Sequence, residues 1–448
     1  MTARLPFLFL LAGCVLSAAG APAAAPATAP SSKDAAEAKA IVSELVACGT
    51  RHSLSSWTDP RRGAGCGRDV VARRFRDIAA RTGGRLEVVV DRYETSGPRT
   101  GDVPVPMENV YAVLAGTDPE LKKTAFVVSG HLDTRGTDVM DPKVDAPGAD
   151  DDGSGVAVSI LSAAALAGRP GGFRSTLVFA AVAGEEQGLL GSKRMKDWLA
   201  QRGYRVGGMI TDDIVGATNG SADRRPRIFS EGGPDGIDSP GREMARRADE
   251  LAGRDHVRLV FRRDRFGRGG DHLPFVEAGL PAIRFTEPLE VYDHQHQTPR
   301  EENGVRYGDY LEFMDFPFLA QVAAVNQLLL AELAAAPAPP SSVVLSGAVT
   351  PSAKLTIQAP DDPERQGFEI LIRETTEPRW RVLRTVPSGA SGVPAAVTLE
   401  GRSTDNEFFA ARSLGRNGHR SLAVPAVPEP RPPVTSVPPT PAPPKPPQ

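Results

Sequence analysis

The sequence predicts an α/β domain with a mainly parallel central sheet and helices on both faces, followed by a C-terminal β-sandwich. Three observations predict it. From residue 108 to about 336, strand-like apolar runs alternate with helix-like runs, the pattern of parallel strands joined by crossover helices. Pro337, Pro339 and Pro340 then end that pattern, because a proline lacks the backbone donor and clashes with the preceding helical turn. Beyond them come short strand-like runs with turn residues between, over roughly 80 residues.

Taken in order, residues 33–47 and 69–82 have helical character and 86–93 read as a strand. Strand character recurs at 110–115, 124–129, 175–183, 208–214 and 281–285, and helical character at 155–167, 192–201 and 241–252. Residues 309–335 form a long helical stretch that Pro317 should break or kink near Asp315. Strand-like runs of the second module fall at 343–345, 354–358, 369–373, 380–385, 396–399 and 408–413. From Pro425 to the end the chain is Pro-rich and too poor in apolar side chains to bury a core. The expected organisation is therefore a leader at 1–24, an α/β domain at 33–336, a β-sandwich at 343–424 and a tail at 425–448.

Composition narrows the function. Hydrophobic residues make up 40% of the 448 residues, enough for a sizeable core, and the net charge is −3. Such a balance offers no basic excess to neutralise phosphates, which argues against a nucleic-acid partner. Arg4, an apolar stretch over 5–17 and small residues over 18–25 read as an export signal. Leu11-Ala12-Gly13-Cys14 also resembles a lipoprotein cleavage box in which Cys14 would carry a lipid anchor, although Val15 and Leu16 continue the apolar run. No later segment reads as long and apolar enough to cross a membrane, the run 156–166 being too short. With Cys14 in the leader, Cys48 and Cys66 remain, and in an oxidising compartment they are expected to pair.

The chemistry is carried by five short motifs. Ser129-Gly130-His131-Leu132-Asp133 ends a strand-like run; His131 and Asp133 share a side, so a carboxylate could orient a metal-binding imidazole. Asp150-Asp151-Asp152 precedes a glycine turn and an apolar helix. Three adjacent carboxylates drawn into a fold need cations or helix amides to offset their repulsion. Gly184-Glu185-Glu186 follows a buried strand, so one glutamate could bind metal while its neighbour takes a proton from water. Asp212-Asp213 sits in an apolar strand, where a charge needs a partner. Tyr292-Asp293-His294-Gln295-His296 lies on a loop after a strand. Each motif alone is also compatible with ordinary caps and surface pairs; together they supply donors for two zinc ions.

The order and spacing resemble the co-catalytic zinc aminopeptidase family, which includes the glutamate carboxypeptidases and aminopeptidase Y, over residues 47–335. The resemblance implies a zinc exopeptidase-like fold with two Zn²⁺ ions and peptide substrates. It implies His131, Asp151, Glu186, Asp213 and His294 as metal ligands, Asp151 bridging, Glu185 as general base and Asp133 as the group orienting His131. His296 remains the alternative to His294, because the family's His-Thr-Pro-x-Asp motif is altered here, with Thr298 where the aspartate is expected. Gly270-Asp271-His272 and Phe275 resemble a loop lining the substrate site, with His272 structural. The activity implied is aminopeptidase; a carboxypeptidase, a single-zinc glutaminyl cyclase or an inactive binding protein are the alternatives on this scaffold. Trp380 and the run from Asn406 to Gly418 and Ser421 loosely resemble a fibronectin type III module.

Overall fold

The structure, a computed structural model, describes residues 32–232, 238–253, 256–262, 269–347, 350–390 and 392–429. Helices α1 (Ser32–Val46) and α2 (Ala64–Arg81) lead into β1 (Leu86–Thr95), β2 (Val105–Leu114) and β3 (Thr124–His131). There follow α3 (Gly153–Ala167), β4 (Thr176–Val182), α4 (Leu190–Gln201), β5 (Arg205–Asp212) and β6 (Arg227–Phe229). The domain continues through α5 (Pro240–Ala252), β7 (Arg258–Val260), α6 (Leu273–Val276), β8 (Ala282–Thr286), the hairpin β9 (Arg300–Glu302) and β10 (Val305–Tyr307), and α7 (Phe316–Ala335).

Eight strands form one sheet in the order β1-β2-β4-β3-β5-β8-β6-β7. The central run β4-β3-β5-β8 is parallel. Its strands are apolar on both faces because both are covered. Phe126, Val128, Phe179 and Ala181 face the layer of α1, α2, α3, α5 and α7. Val127, Ala180, Val182 and Met209 face Met195, Trp198 and Leu199 of α4 and Phe275 of α6. Adjacent parallel strands end together: His131 pairs in register with Val182, and Ser129 with Thr211. One sheet edge thus collects the residues that follow β3, β4 and β5.

The proline in the last long helical stretch breaks it near Asp315, as expected, and begins α7. Asp315 caps α7 by accepting the Phe318 amide at 3.1 Å, and Pro317 occupies the first turn, where its missing donor costs nothing. α7 also corrects an expectation. Its 20 residues, with mean hydropathy 1.5, are long and apolar enough to cross a membrane by length and composition. Most of its apolar window, 72%, is instead buried against the sheet and its neighbouring helices, so its composition is that of a core helix.

The second module comprises β11 (Ser342–Ser346), β12 (Ser352–Gln358), β13 (Arg365–Glu374), β14 (Arg381–Pro387), β15 (Ala395–Glu400), β16 (Glu407–Gly415), β17 (Val424–Pro425) and β18 (Val427–Pro428). They form two four-stranded sheets, β15-β12-β11-β18 and β14-β13-β16-β17, around a core that includes Leu355, Ile370, Ile372 and Phe409. Pairing runs past residue 424, because Val427 and Pro428 add a parallel edge to β11, where a proline needs no ladder donor. Trp380 lies outside this core. Its indole donates to Glu243 of α5 at 2.6 Å, and the Arg246 and Arg373 guanidinium groups lie over its ring. The same face of α5 receives a bidentate Arg412–Glu250 pair and a bidentate Arg379–Asp249 pair.

Residues 1–31, with the leader and Cys14, and residues 430–448 of the tail lie outside the described residues. Cys48 and Cys66 form a disulfide that closes the loop between α1 and α2 across a separation of 18 residues. A loop of that length corresponds to about 3 kcal/mol of stabilisation, mainly through the unfolded chain. Replacing both cysteines by alanine is expected to lower the urea midpoint by an equivalent amount; an unchanged midpoint would show that the loop gains nothing from closure.

Candidate metal centre

His131 is the last residue of β3, Glu185 and Glu186 follow β4, Asp213 follows β5, and Asp151 precedes α3. Two donor clusters result. His131, Asp151 and Asp213 form one; Asp151, Glu186 and His296 form the other, and Asp151 belongs to both. Within each cluster the potential ligand atoms lie within 4.8 Å of one another. His131 Nε2 is 3.0 Å from Asp151 Oδ1 and 3.8 Å from Asp213 Oδ1. His296 Nε2 is 3.0 Å from Asp151 Oδ2 and 2.9 Å from Glu186 Oε1.

His294 is not in either cluster. Its ring stacks on Phe313 at 3.8 Å between centroids, while His296, held in the left-handed region at φ 53°, turns the loop toward Asp151. The structure therefore brings His296, and not the expected His294, to the donor clusters. The signal for it was in the sequence: when Thr298-Pro299 is matched to the family motif, His296 is one residue from the histidine position and His294 three. Thr298, standing where an aspartate was expected, exchanges two hydrogen bonds of 3.1 Å with Thr137 and so fastens this loop to the one after His131.

Backbone contacts set the ligand angles. The Nδ1 of His131 meets the Asp133 carbonyl at 3.0 Å, which leaves Nε2 free for the cluster. The Asp133 carboxylate, 3.6 Å from that ring, accepts the Glu185 and Glu186 amides at 3.2 and 3.1 Å. It thus positions the glutamate turn as well as the histidine. Of the three successive aspartates, Asp152 caps α3 by accepting the Gly155 amide and also accepts the His131 amide at 2.7 Å. Asp150 accepts the Gly216 amide at 2.6 Å. Asp212 faces α7 and accepts from Asn326 at 2.9 Å, so the period of the strand leaves Asp213 to the site. His272 and Phe275 are fully buried, and the cavity wall there is made by Gly269 and Leu273.

Four further residues were invisible to motif reading. Arg51, fully buried, donates to the carbonyls of Leu132, Pro147 and Gly148 at 2.8, 2.7 and 2.8 Å. Asp309 accepts the Asp150 and Asp151 amides. Arg135 holds Glu186 Oε2 at 2.9 Å and His296 Nδ1 at 2.7 Å, and Arg284 lies 3.1 Å from Asp213 Oδ2. No motif links these residues to the site, because their contacts are to backbone or to residues distant in sequence.

The cluster fits divalent cations. Burial opposes charge on His131, yet the carboxylates of Asp152, Asp133, Asp151 and Asp213 raise its pKa well above the ordinary value. Burial likewise opposes charge on His296, but Glu186 and Asp151 push it up to about 10. The carboxylates around both rings call for positive charge, which a bound cation would supply. Asp151 Oδ2 is buried, lies 3.0 Å from His296 Nε2 and has no hydrogen-bond partner of good geometry among the described residues, which suits an oxygen directed at a metal. Imidazole nitrogens with carboxylate oxygens are donors that zinc accepts.

A parallel sheet whose carboxyl edge gathers two donor triads sharing one carboxylate defines a scaffold for a pair of cations. Comparison with known proteins places the chain more closely. The model of peptidase family M28 matches residues 109–307. A Leptosphaeria maculans protein described as a probable zinc metalloprotease is 39% identical over 414 residues, 87% of this chain and 94% of that one. A Pyricularia oryzae protein of the same description is 39% identical over 427 residues, 88% of this chain and 83% of that one. The chain belongs to peptidase family M28. The crystal structure of Legionella pneumophila LapA shares the fold, with a TM-score of 0.52 at 20% identity over 67% of this chain and 73% of that one.

His296→Ala is expected to lower the zinc content of the purified protein by about one ion per chain, and His294→Ala to leave it unchanged. Elemental analysis after dialysis checks both, and the reverse result would return the ligand role to His294.

Proposed function

We propose that this chain is an exported zinc-dependent exopeptidase, an aminopeptidase that removes N-terminal residues from peptides. The observation that carries the reading is the pair of triads joined at Asp151, with Glu185 beside them on the cavity wall. Two zinc ions would be held by His131, Asp151 and Asp213, and by Asp151, Glu186 and His296. Bound there, they supply Lewis acidity toward a peptide carbonyl and an attacking water.

The chain's own groups do the rest. Glu185 lines the cavity of about 960 Å³, and its carboxylate accepts no hydrogen bond among the described residues. Burial pushes its carboxyl well above the ordinary value; the His131 charge opposes that rise, and the nearby Glu186, Asp213 and Asp271 charges add to it. A carboxylate so placed takes a proton from the attacking water on one oxygen and returns it to the leaving amine. Asp133 keeps Glu185 in place through its backbone amide. The aminopeptidase reading follows the resemblance of the five motifs to those of the co-catalytic zinc aminopeptidases. A full two-metal donor set favours a peptidase over a single-zinc cyclase.

Export rests on the charged, apolar and small-residue order of residues 1–25 and agrees with the Cys48–Cys66 disulfide. The second module, with its fibronectin type III-like spacing, serves as a bracing or binding appendage. The intact mass of the secreted chain tests the leader: cleavage near residue 24 is expected, and a diacylated Cys14 would replace it with a lipoprotein.

Glu185→Gln is expected to keep both zinc ions while turnover of an aminoacyl reporter falls at least about a hundredfold. Chelation should abolish wild-type turnover and added zinc restore it. Normal turnover by the variant would remove Glu185 from the mechanism, and turnover in chelator would remove the metals.

A further inference from the structure

The cavity above the donor clusters has a wall of one sign. Apart from Asp151, Glu185, Glu186 and Asp213, every charged residue described along it is basic: Arg99, Arg135, Lys193 and Arg262. Arg135 is committed to Glu186 and His296. Arg99 and Lys193 are anchored more lightly. Arg99 Nη1 donates to the Glu186 carbonyl at 2.7 Å, and Lys193 Nζ donates to the Gly188 carbonyl at 3.0 Å. A guanidinium has five donors and an ammonium three, so each head keeps N–H groups beyond the one that fixes it.

Position adds to charge. Both heads rest on the turn that bears Glu185 and Glu186, next to where a scissile bond would lie. The first turn of α4 carries no side-chain cap, and Leu189 and Leu190 at its start line the same cavity. The amide end of that 12-residue helix directs a positive field into the wall. One exposed ion pair would contribute little. Two cationic heads and a helix end converging on one concave surface do more, because field lines focus in a cleft.

We infer that Arg99 and Lys193 form a carboxylate-recognising subsite beside the metal centre, and that the preferred substrates are peptides with a negative charge on the residue following the scissile bond. With the peptide's N-terminal residue at the metal centre, the residue after the scissile bond lies toward the basic wall. The carboxylate is either an acidic side chain or, in a dipeptide, the C-terminus. The inference rests on the hydrolytic reading above and names its substrate class.

The test uses the zinc-loaded full chain with four dipeptides: Leu-Glu, Leu-Glu-amide, Leu-Gln and Leu-Gln-amide. Free Leu-Glu is expected to exceed Leu-Gln-amide in kcat/KM by about tenfold or more, the difference lying in KM. The two singly charged peptides show whether side chain or C-terminus supplies the anion. Lys193→Glu should reduce the ratio about tenfold and Lys193→Arg retain it; Arg99→Gln and Arg99→Lys should divide the same way. Equal kcat/KM for all four peptides, or a ratio unmoved by Lys193→Glu, overturns the subsite. If none is cleaved, the hydrolytic reading fails separately. Calorimetric binding of Leu-Glu against Leu-Gln-amide to zinc-loaded Glu185→Gln then decides the subsite: tighter Leu-Glu binding supports it and equal binding removes it.

Discussion

The arrangement of acids at the sheet edge depends on one buried cation, Arg51. Its guanidinium bonds the carbonyl that follows His131 and two carbonyls of the loop that leads to Asp151, so a strand end and a loop become one rigid piece. Burial lowers its pKa to about 10, while Asp309, Asp152, Asp133 and Asp151 act to keep it charged. A buried charge without these partners would be strongly unfavourable, and the loop carbonyls without Arg51 would lose their donors. Asp309 completes the frame by accepting the Asp150 and Asp151 amides. Cys48 lies three residues before Arg51, so the disulfide to α2 anchors the segment that delivers the guanidinium.

Within that frame the site divides labour between oxygens that face the donor clusters and oxygens that face the backbone. Asp150, Asp152 and Asp309 satisfy amides, and Asp133 pins the glutamate turn. Asp151, Glu186 and Asp213 keep oxygens directed inward. Like charges this close raise one another's cost, and that cost is what gives the site its appetite for divalent ions. Preorganisation of this kind means that little side-chain ordering remains when metal or substrate arrives.

Much of the fold was legible because burial on both faces makes the central strands continuous apolar runs, and Pro337–Pro340 punctuate the chain. The three-residue strands β6, β7, β9 and β10 were not legible: at that length no period forms, and their pairing comes from neighbours already in place. His131, Asp151, Glu186 and Asp213 could be picked out because they follow strand-like runs or precede an apolar helix. His296 was separable from His294 only through its spacing to Thr298-Pro299, since a loop has no period and the backbone turn chooses which side chain faces the site. Arg51 and Asp309 act through backbone groups, which carry no residue code. Trp380, one of the features that resembled a fibronectin type III module, sits at the module boundary, where an indole with a polar handle can find an acid.

The charged face of α5 has a consequence for the chain as a whole. Glu243, Arg246 and Asp249 are buried, and their counterparts Trp380, Pro378 and Arg379 belong to the other module. Severing the chain at the proline boundary would leave that helix with ions selected for one another and not for water. The two modules therefore share a single free-energy ledger: loosening either one transmits to α5, then to α7 and the sheet beneath the metal edge, so a fault in the appendage is felt by the catalyst.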